Sequence, residues 1–275
     1  MGLQHLLAPT TMPVKPTING ERPMPNTAII TGAASGIGQE AARDLLAKGW
    51  IVYGLDVSDA ALAPAARALA SGNFHPRACD LRDAAAVAKV MRGIQEDSPR
   101  INALIASAGV LKLGRLKEMA VEDFDMVLNV NVRGLWLTCR EAMPMLEAAT
   151  AAGEIGRVIL MSSISAIRPK VESGAYSASK AAVSQLTQIL AAECAGHGIL
   201  VNALAPGTVD TPMVNDQAGR NGAWQPSGNS PLGRIAQPLD IVRVMRFLLS
   251  EDAGYVTGTI IPVDGGTRAA FIPPR

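Results

Sequence analysis

Ala28-Ile-Ile-Thr31-Gly-Ala-Ala-Ser-Gly-Ile-Gly38 passes from a short β-branched run, through a turn with three glycines, into the start of a helical pattern. The physical chemistry of such a turn is specific. Gly32 turns the chain tightly, Gly36 lets the backbone approach a pyrophosphate, and Gly38 allows the helix to pack closely on the strand. Ser35 and Ile37 complete the turn. The helix that follows offers unpaired N–H groups and a favourable dipole to phosphate oxygens. The spacing is G-x-x-x-G-x-G and not the commoner G-x-G-x-x-G. Its position between a strand and a helix favours nucleotide binding over a turn used for packing only.

Outward from this turn, short apolar runs alternate with helical patterns. Strands are expected at Ala28–Thr31, Trp50–Leu55, Phe74–Ala78, Ala103–Ala106, Arg157–Met161, Ile199–Leu204 and Thr259–Val263. Helices are expected at Ile37–Lys48, Asp59–Ala70, Ala84–Glu96, Val121–Ala149 with a bend near Pro144, Ala175–Ala195 and Pro238–Leu249. Strands separated by single crossover helices predict an α/β fold, a doubly wound parallel sheet with helices on both faces. Such sheets bind ligands at the carboxyl ends of their strands. The Pro-rich residues 1–26 are expected to form a flexible or surface-lying extension, and 27–275 a single catalytic domain.

The totals narrow the function classes. Hydrophobic residues are 48% and charged residues 18% of 275, which suits a compact globular chain. A net charge of +1 provides no general attraction to nucleic acid or anionic membranes. No apolar run is long enough to cross a membrane. Three cysteines (Cys79, Cys139 and Cys194) without a CxxC pair suggest buried thiols in a reducing, cytoplasmic compartment, with neither disulfide framework nor metal site.

Two further features carry chemistry. Asp56 ends the second strand 18 residues after Gly38, where a carboxylate can accept the hydroxyls of an adenine ribose and repel a 2′-phosphate. No Arg or Lys lies in the glycine turn, so NAD is the expected cofactor; the alternative for Asp56 is a loop cap. Asp80 and Leu81, after the third strand, place a polar and an apolar group for the adenine. Tyr176 and Lys180 are four residues apart on a helical pattern and therefore share a face. An ammonium beside a phenol favours phenolate and lowers the tyrosine pKa, which suits a general acid or base. The spacing alone fixes no chemistry; the rest of the pattern gives it meaning.

With Thr31–Gly38, Asp56, Ser163, Tyr176 and Lys180 in register, residues of about 27–266 resemble the short-chain dehydrogenase/reductase family, in its branch of about 250 residues. The resemblance implies a Rossmann-type sheet of seven parallel strands. It implies Ser163, 13 residues before Tyr176, as the residue that positions the substrate oxygen, with Ser162 facing the other way. It further implies Asn131 as the residue that holds a water in a proton relay, Lys180 on the ribose hydroxyls, and Pro206, Gly207, Val209 and Thr211 around the nicotinamide. Ala106-Ser-Ala-Gly109 departs from the family's Asn-Asn-Ala-Gly. Ala108 and Gly109 keep room for the cofactor, while Ser107 reaches less far than asparagine.

The implied activity is hydride transfer between NAD and a secondary alcohol or ketone, with Tyr176 as acid/base. An NADPH-dependent 3-oxoacyl-carrier or carbonyl reductase is the alternative, and a noncatalytic nucleotide-binding protein a third reading. Residues of about 212–236 occupy the place of a substrate lid, where Met213, Val214 and Trp224 either line an apolar pocket or pack the lid down. Arg168, Lys170 and Glu172 are candidates to meet a polar substrate. In relatives the long helix after the fourth strand and the helix of Tyr176 form the main subunit contact, which implies a homotetramer.

Overall fold

The computed structural model describes residues 25–220 and 230–269, with the side chains of 217–220 left aside. Seven parallel strands form one sheet: β1 (Thr27–Thr31), β2 (Ile51–Asp56), β3 (Phe74–Ala78), β4 (Ala103–Ala106), β5 (Gly156–Met161), β6 (Ile199–Pro206) and β7 (Ile260–Val263). Their order is β3-β2-β1-β4-β5-β6-β7. The chain winds outward from β1 to β3, then returns to the other side of β1 with β4. Thr31 pairs with Ala106 at that reversal, so the loops after β1 and β4 diverge and leave a crevice between them.

Alternation along the strands builds two apolar layers. Ile29, Leu55 and Leu104 face one core, shared with α3 (Ala84–Asp97), α5 (Leu135–Ala151) and α6 (Gly174–Cys194). Ala28, Ile30 and Ile105 face the other, shared with α1 (Gly36–Ala47) and α8 (Pro238–Leu249). Burial on both faces explains why these strands read as continuous apolar runs. α1 and α8 are further tied by Asp44, whose carboxylate accepts from Lys48 Nζ and Arg246 Nε, each at 2.8 Å. α2 (Asp59–Leu69) links β2 to β3, with Ser58 Oγ capping its first turn at Ala61 N.

One expectation needs correction. The helical region after β4 is not one α-helix bent at Pro144. It is α4 (Val121–Leu128), a π-helical turn at Asn129–Gly134, then α5, inside which Pro144 is accommodated. The π-helical turn lies before Pro144, which sits inside regular α5. The stretch expected as a substrate lid, 212–236, opens with α7 (Pro212–Arg220). Pro212 at the first helical position suits that start. Trp224, Gly222, Gly228 and nearly all of the 1–26 extension lie outside the described residues.

Candidate active site

The carboxyl ends of the strands enclose a cavity of about 490 Å³. Of the residues singled out in the sequence, Gly32, Ser35, Gly36, Ile37, Asp56, Asp80, Leu81, Ala108, Gly109, Ser163, Tyr176, Lys180, Pro206, Gly207, Val209 and Thr211 line it. Gly38 and Asn131 do not; both act on the wall from behind.

The glycine turn is shaped by close approach. Gly32 has φ +69°, and a Cβ there would lie 2.9 Å from Ala108 Cα. A Cβ on Gly38 would collide with the Gly32 carbonyl, which is how the helix start can fold onto the strand end. Gly36 has φ +54° and faces the Thr211 side chain. Any side chain at these positions would fill or displace the cradle. Asp56 braces the same turn: Oδ2 accepts from Ala34 N at 3.0 Å and Oδ1 from Val57 N at 2.8 Å. Thr31 Oγ1 accepts from Ala108 N at 3.1 Å and so ties the two diverging loops together. Ser107 lines the cavity beside it. The glycines, the helix start and the carboxylate at the β2 end fit a dinucleotide.

Across the sheet, β5 and α6 bring the hydroxyls together. Ser162 Oγ donates to the Lys180 carbonyl at 3.0 Å and meets Ser184 Oγ at 2.8 Å, so it is turned into α6. Strand alternation aims Ser163 into the cavity, where its Oγ donates to Ser165 Oγ at 3.1 Å. The Ser163 side chain also bears on the Tyr176 phenol. Lys180 is 4% exposed. Its Nζ donates to the Met161 carbonyl at 2.7 Å and lies 5.7 Å from the Tyr176 ring centroid.

The electrostatics differ from the simple sequence argument. Burial pushes the Tyr176 phenol above its ordinary value, with the Ser163 hydrogen bond acting against that. Burial also lowers Lys180 from 10.5 to about 8. The lysine therefore does not by itself pull the phenol down: its own charge is disfavoured, and its amine is directed at a carbonyl.

Asn131, fully buried in the π-turn, grips the loop after β4. Its Oδ1 accepts from Val110 N at 2.8 Å, and its Nδ2 donates to Val110 O and Ser179 Oγ, both at 3.0 Å. Both amide hydrogens are used, leaving one Oδ1 lone pair.

Several lining residues escaped the sequence reading. Arg82 closes the β3 end of the cavity and grips Asp80 through Nε at 2.9 Å and Nη2 at 2.6 Å. That guanidinium holds the Asp80 carboxyl below its usual range. Its position two residues after Asp80 was the available signal. Met126 and Val130 also line the cavity, brought there by the α4 and π-turn path, which no local pattern announces. Arg168 Nη1 donates to the Thr267 carbonyl at 2.8 Å, and neither Arg168, Lys170 nor Glu172 lines the cavity. Among the described residues no group of three or more His, Cys, Asp or Glu could hold a metal ion, and no helix is long and apolar enough to cross a membrane.

Residues 32–268 match the family model for enoyl-(acyl carrier protein) reductase. Galactitol 2-dehydrogenase (L-tagatose-forming) of Cereibacter sphaeroides is 38% identical over 240 residues, covering 87% of this chain and 93% of that protein. Meso-2,3-butanediol dehydrogenase of Serratia marcescens is 32% identical over 253 residues, covering 90% and 96%. Among solved structures, the 3-ketoacyl-(acyl-carrier-protein) reductase of Brucella melitensis complexed with NADH superposes with a TM-score of 0.81 at 29% identity, covering 88% of this chain and 98% of that one. Agreement of this extent in sequence, strand order and site geometry means that the chain belongs to the short-chain dehydrogenase/reductase family.

Proposed function

We propose that the protein transfers a hydride between NAD(H) and a secondary alcohol or ketone, with Tyr176 as general acid/base. The observation that carries this reading is the meeting of the Ser163 and Tyr176 hydroxyls, with the Lys180 amine beneath the ring, in the cavity that also holds the glycine turn. The turn from Gly32 to Gly38 would hold the pyrophosphate, Asp56 the adenine ribose, Asp80 and Leu81 the adenine side. Lys180 would hold the nicotinamide ribose, and Pro206–Thr211 the nicotinamide. When bound, the nicotinamide supplies the two-electron chemistry as hydride acceptor or donor.

In the oxidative direction Tyr176 takes the proton of the substrate hydroxyl, and in reduction it returns that proton to the carbonyl oxygen. Ser163 donates a hydrogen bond to the same oxygen and fixes its place. Lys180 passes the proton onward. The Asn131 side chain is spent on Val110 and Ser179, so its contribution to a water relay is chiefly to hold the wall in place. Met213 and Val214, at the start of α7, open the proposed lid over 212–236. Exposed Trp136 on α5 and Ile189 on α6 support subunit association through these helices, in a homotetramer. The buried free thiols support a cytoplasmic location.

Tyr176→Phe is expected to reduce turnover by about 10²–10⁴-fold, the usual range for a lost acid/base, while NADH binding persists. Near wild-type turnover would remove Tyr176 from the mechanism. An NADPH-dependent 3-oxoacyl-carrier reductase is the second reading, supported by the match of 32–268 to the enoyl-(acyl carrier protein) reductase model. Fluorescence titration with NADH and NADPH separates the two. Preference for NADH assigns Asp56 as selector, and preference for NADPH brings reductive biosynthesis forward.

A further inference from the structure

Two carboxylates line the cavity where β2 and β3 end, and they differ in the hydrogen-bonding capacity they keep. An ionised carboxylate has about four lone-pair sites. Asp56 uses two of them: Oδ2 accepts from Ala34 N at 3.0 Å and Oδ1 from Val57 N at 2.8 Å. About two sites remain, which matches the two hydroxyls of a ribose.

Asp80 is filled by Arg82. Its Oδ1 accepts from Arg82 N at 3.0 Å and Nε at 2.9 Å, and its Oδ2 from Nε at 3.0 Å and Nη2 at 2.6 Å. The two residues stand in one turn, so closing the clasp orders little additional chain. The turn is itself held: Asp83 N donates to the Asp80 carbonyl at 3.0 Å, and Arg133 Nη1 to the Arg82 carbonyl at 2.6 Å. Arg82 Nη1 lies 3.4 Å from Met126 Sδ, which settles the outer edge of the guanidinium. A two-pronged pairing with this support is stronger than an ordinary surface ion pair.

The exocyclic amine of an adenine at the β3 end is a neutral donor. To reach an Asp80 oxygen it has to displace a charged one, which forms the stronger bond. Resting on the reading that the cavity holds a nicotinamide dinucleotide, we propose that Arg82 sets the base specificity of this site. It withholds the Asp80 carboxylate from the purine amine, so the cofactor is selected through its ribose at Asp56 and not through that amine. The ligand class is then nicotinamide dinucleotides of any purine that fits, with or without an exocyclic amine.

The test measures dissociation constants by nicotinamide fluorescence, with the full chain. The probes are NADH and its reduced purine analogue, in which hydrogen replaces the exocyclic amine and the ring nitrogens are unchanged. Wild type is expected to bind the two within about threefold of each other. Arg82→Met opens the Asp80 oxygens to the amine and is expected to favour NADH by about tenfold, the effect of a hydrogen bond to a charged group. Arg82→Lys, whose single ammonium lacks the guanidinium fork, is expected to move the ratio the same way and serves if the methionine variant does not fold. A wild-type preference for NADH above about threefold overturns the inference and leaves dinucleotide binding standing. So does an unchanged ratio in the folded variants. Binding of neither probe to wild type overturns the dinucleotide reading and this inference with it.

Discussion

Lys180 is the residue at which the proposed function and stability oppose each other. Its pKa falls from 10.5 to about 8 because α6 and β5 bury its amine. Between those values the unfolded chain binds more protons than the folded one, so this group makes stability rise with pH through that window. At neutral pH the folded protein carries a buried ammonium with one carbonyl partner. Lys180→Met is therefore expected to stabilise the protein at pH 7, by about 1–2 kcal/mol after the lost hydrogen bond is counted. Thermal unfolding should show this as a rise of roughly 2–8 °C, shrinking toward pH 10, with turnover lost. A fall in Tm at pH 7 would mean that the bond to Met161 outweighs desolvation. Tyr176 carries the complementary expectation. In an ultraviolet difference titration of wild type against Tyr176→Phe, cofactor-free, the phenol should ionise above its ordinary 10.0. Ionisation near neutrality would show that Lys180 alone tunes it.

At the scale of elements, the π-turn at Asn129–Gly134 organises two walls of the cavity at once. Asn131 holds Val110 after β4, while Arg133 Nη1 donates to the Arg82 carbonyl at 2.6 Å after β3. Gly134 packs where a Cβ would lie 2.8 Å from Leu81 Cβ and 2.9 Å from its carbonyl oxygen. A π-turn widens the helix by one residue, which lets both sides of it reach neighbouring loops. Gly134→Ala should push back the Leu81–Arg82 backbone, destabilise by about 1–3 kcal/mol as overpacking does, and weaken NADH binding about tenfold. NADH fluorescence and thermal unfolding check both; unchanged affinity would show that Leu81 does not contact the cofactor. Most element positions were legible because periodicity is local: Phe74–Ala78, Ala103–Ala106 and Pro238–Leu249 match their expected spans. The π-turn was not: Asn131 within it bonds Val110 and Ser179, residues distant in the chain, and no local period carries such contacts.

For the whole molecule, cofactor binding and folding are linked, since the cavity is assembled from loops following six of the seven strands. A ligand that binds only the folded state stabilises it by about 2.7 kcal/mol at a hundredfold excess over Kd. NADH at that excess should raise Tm by roughly 5–11 °C, and NADPH at the same concentration by less, as measured by differential scanning calorimetry. An equal or larger shift with NADPH would remove Asp56 as selector.

The chain's local order was enough for the strand and helix succession, the glycine turn and the Tyr176/Lys180 face, because hydrophobic period, glycine chemistry and i,i+4 spacing act between near neighbours. The preference for Ser163 over Ser162 came instead from the family resemblance, and strand alternation only sets the two hydroxyls on opposite faces. Only the tertiary structure decided which partners the charged groups take. Arg82 on Asp80, Lys112 on Asp123 and Arg168 on Thr267 are pairings set by how loops meet. The same holds for the pKa of Tyr176, which sequence reasoning expected to fall and which burial instead raises. Desolvation depends on everything packed around a group, and that sum is not written in any local pattern.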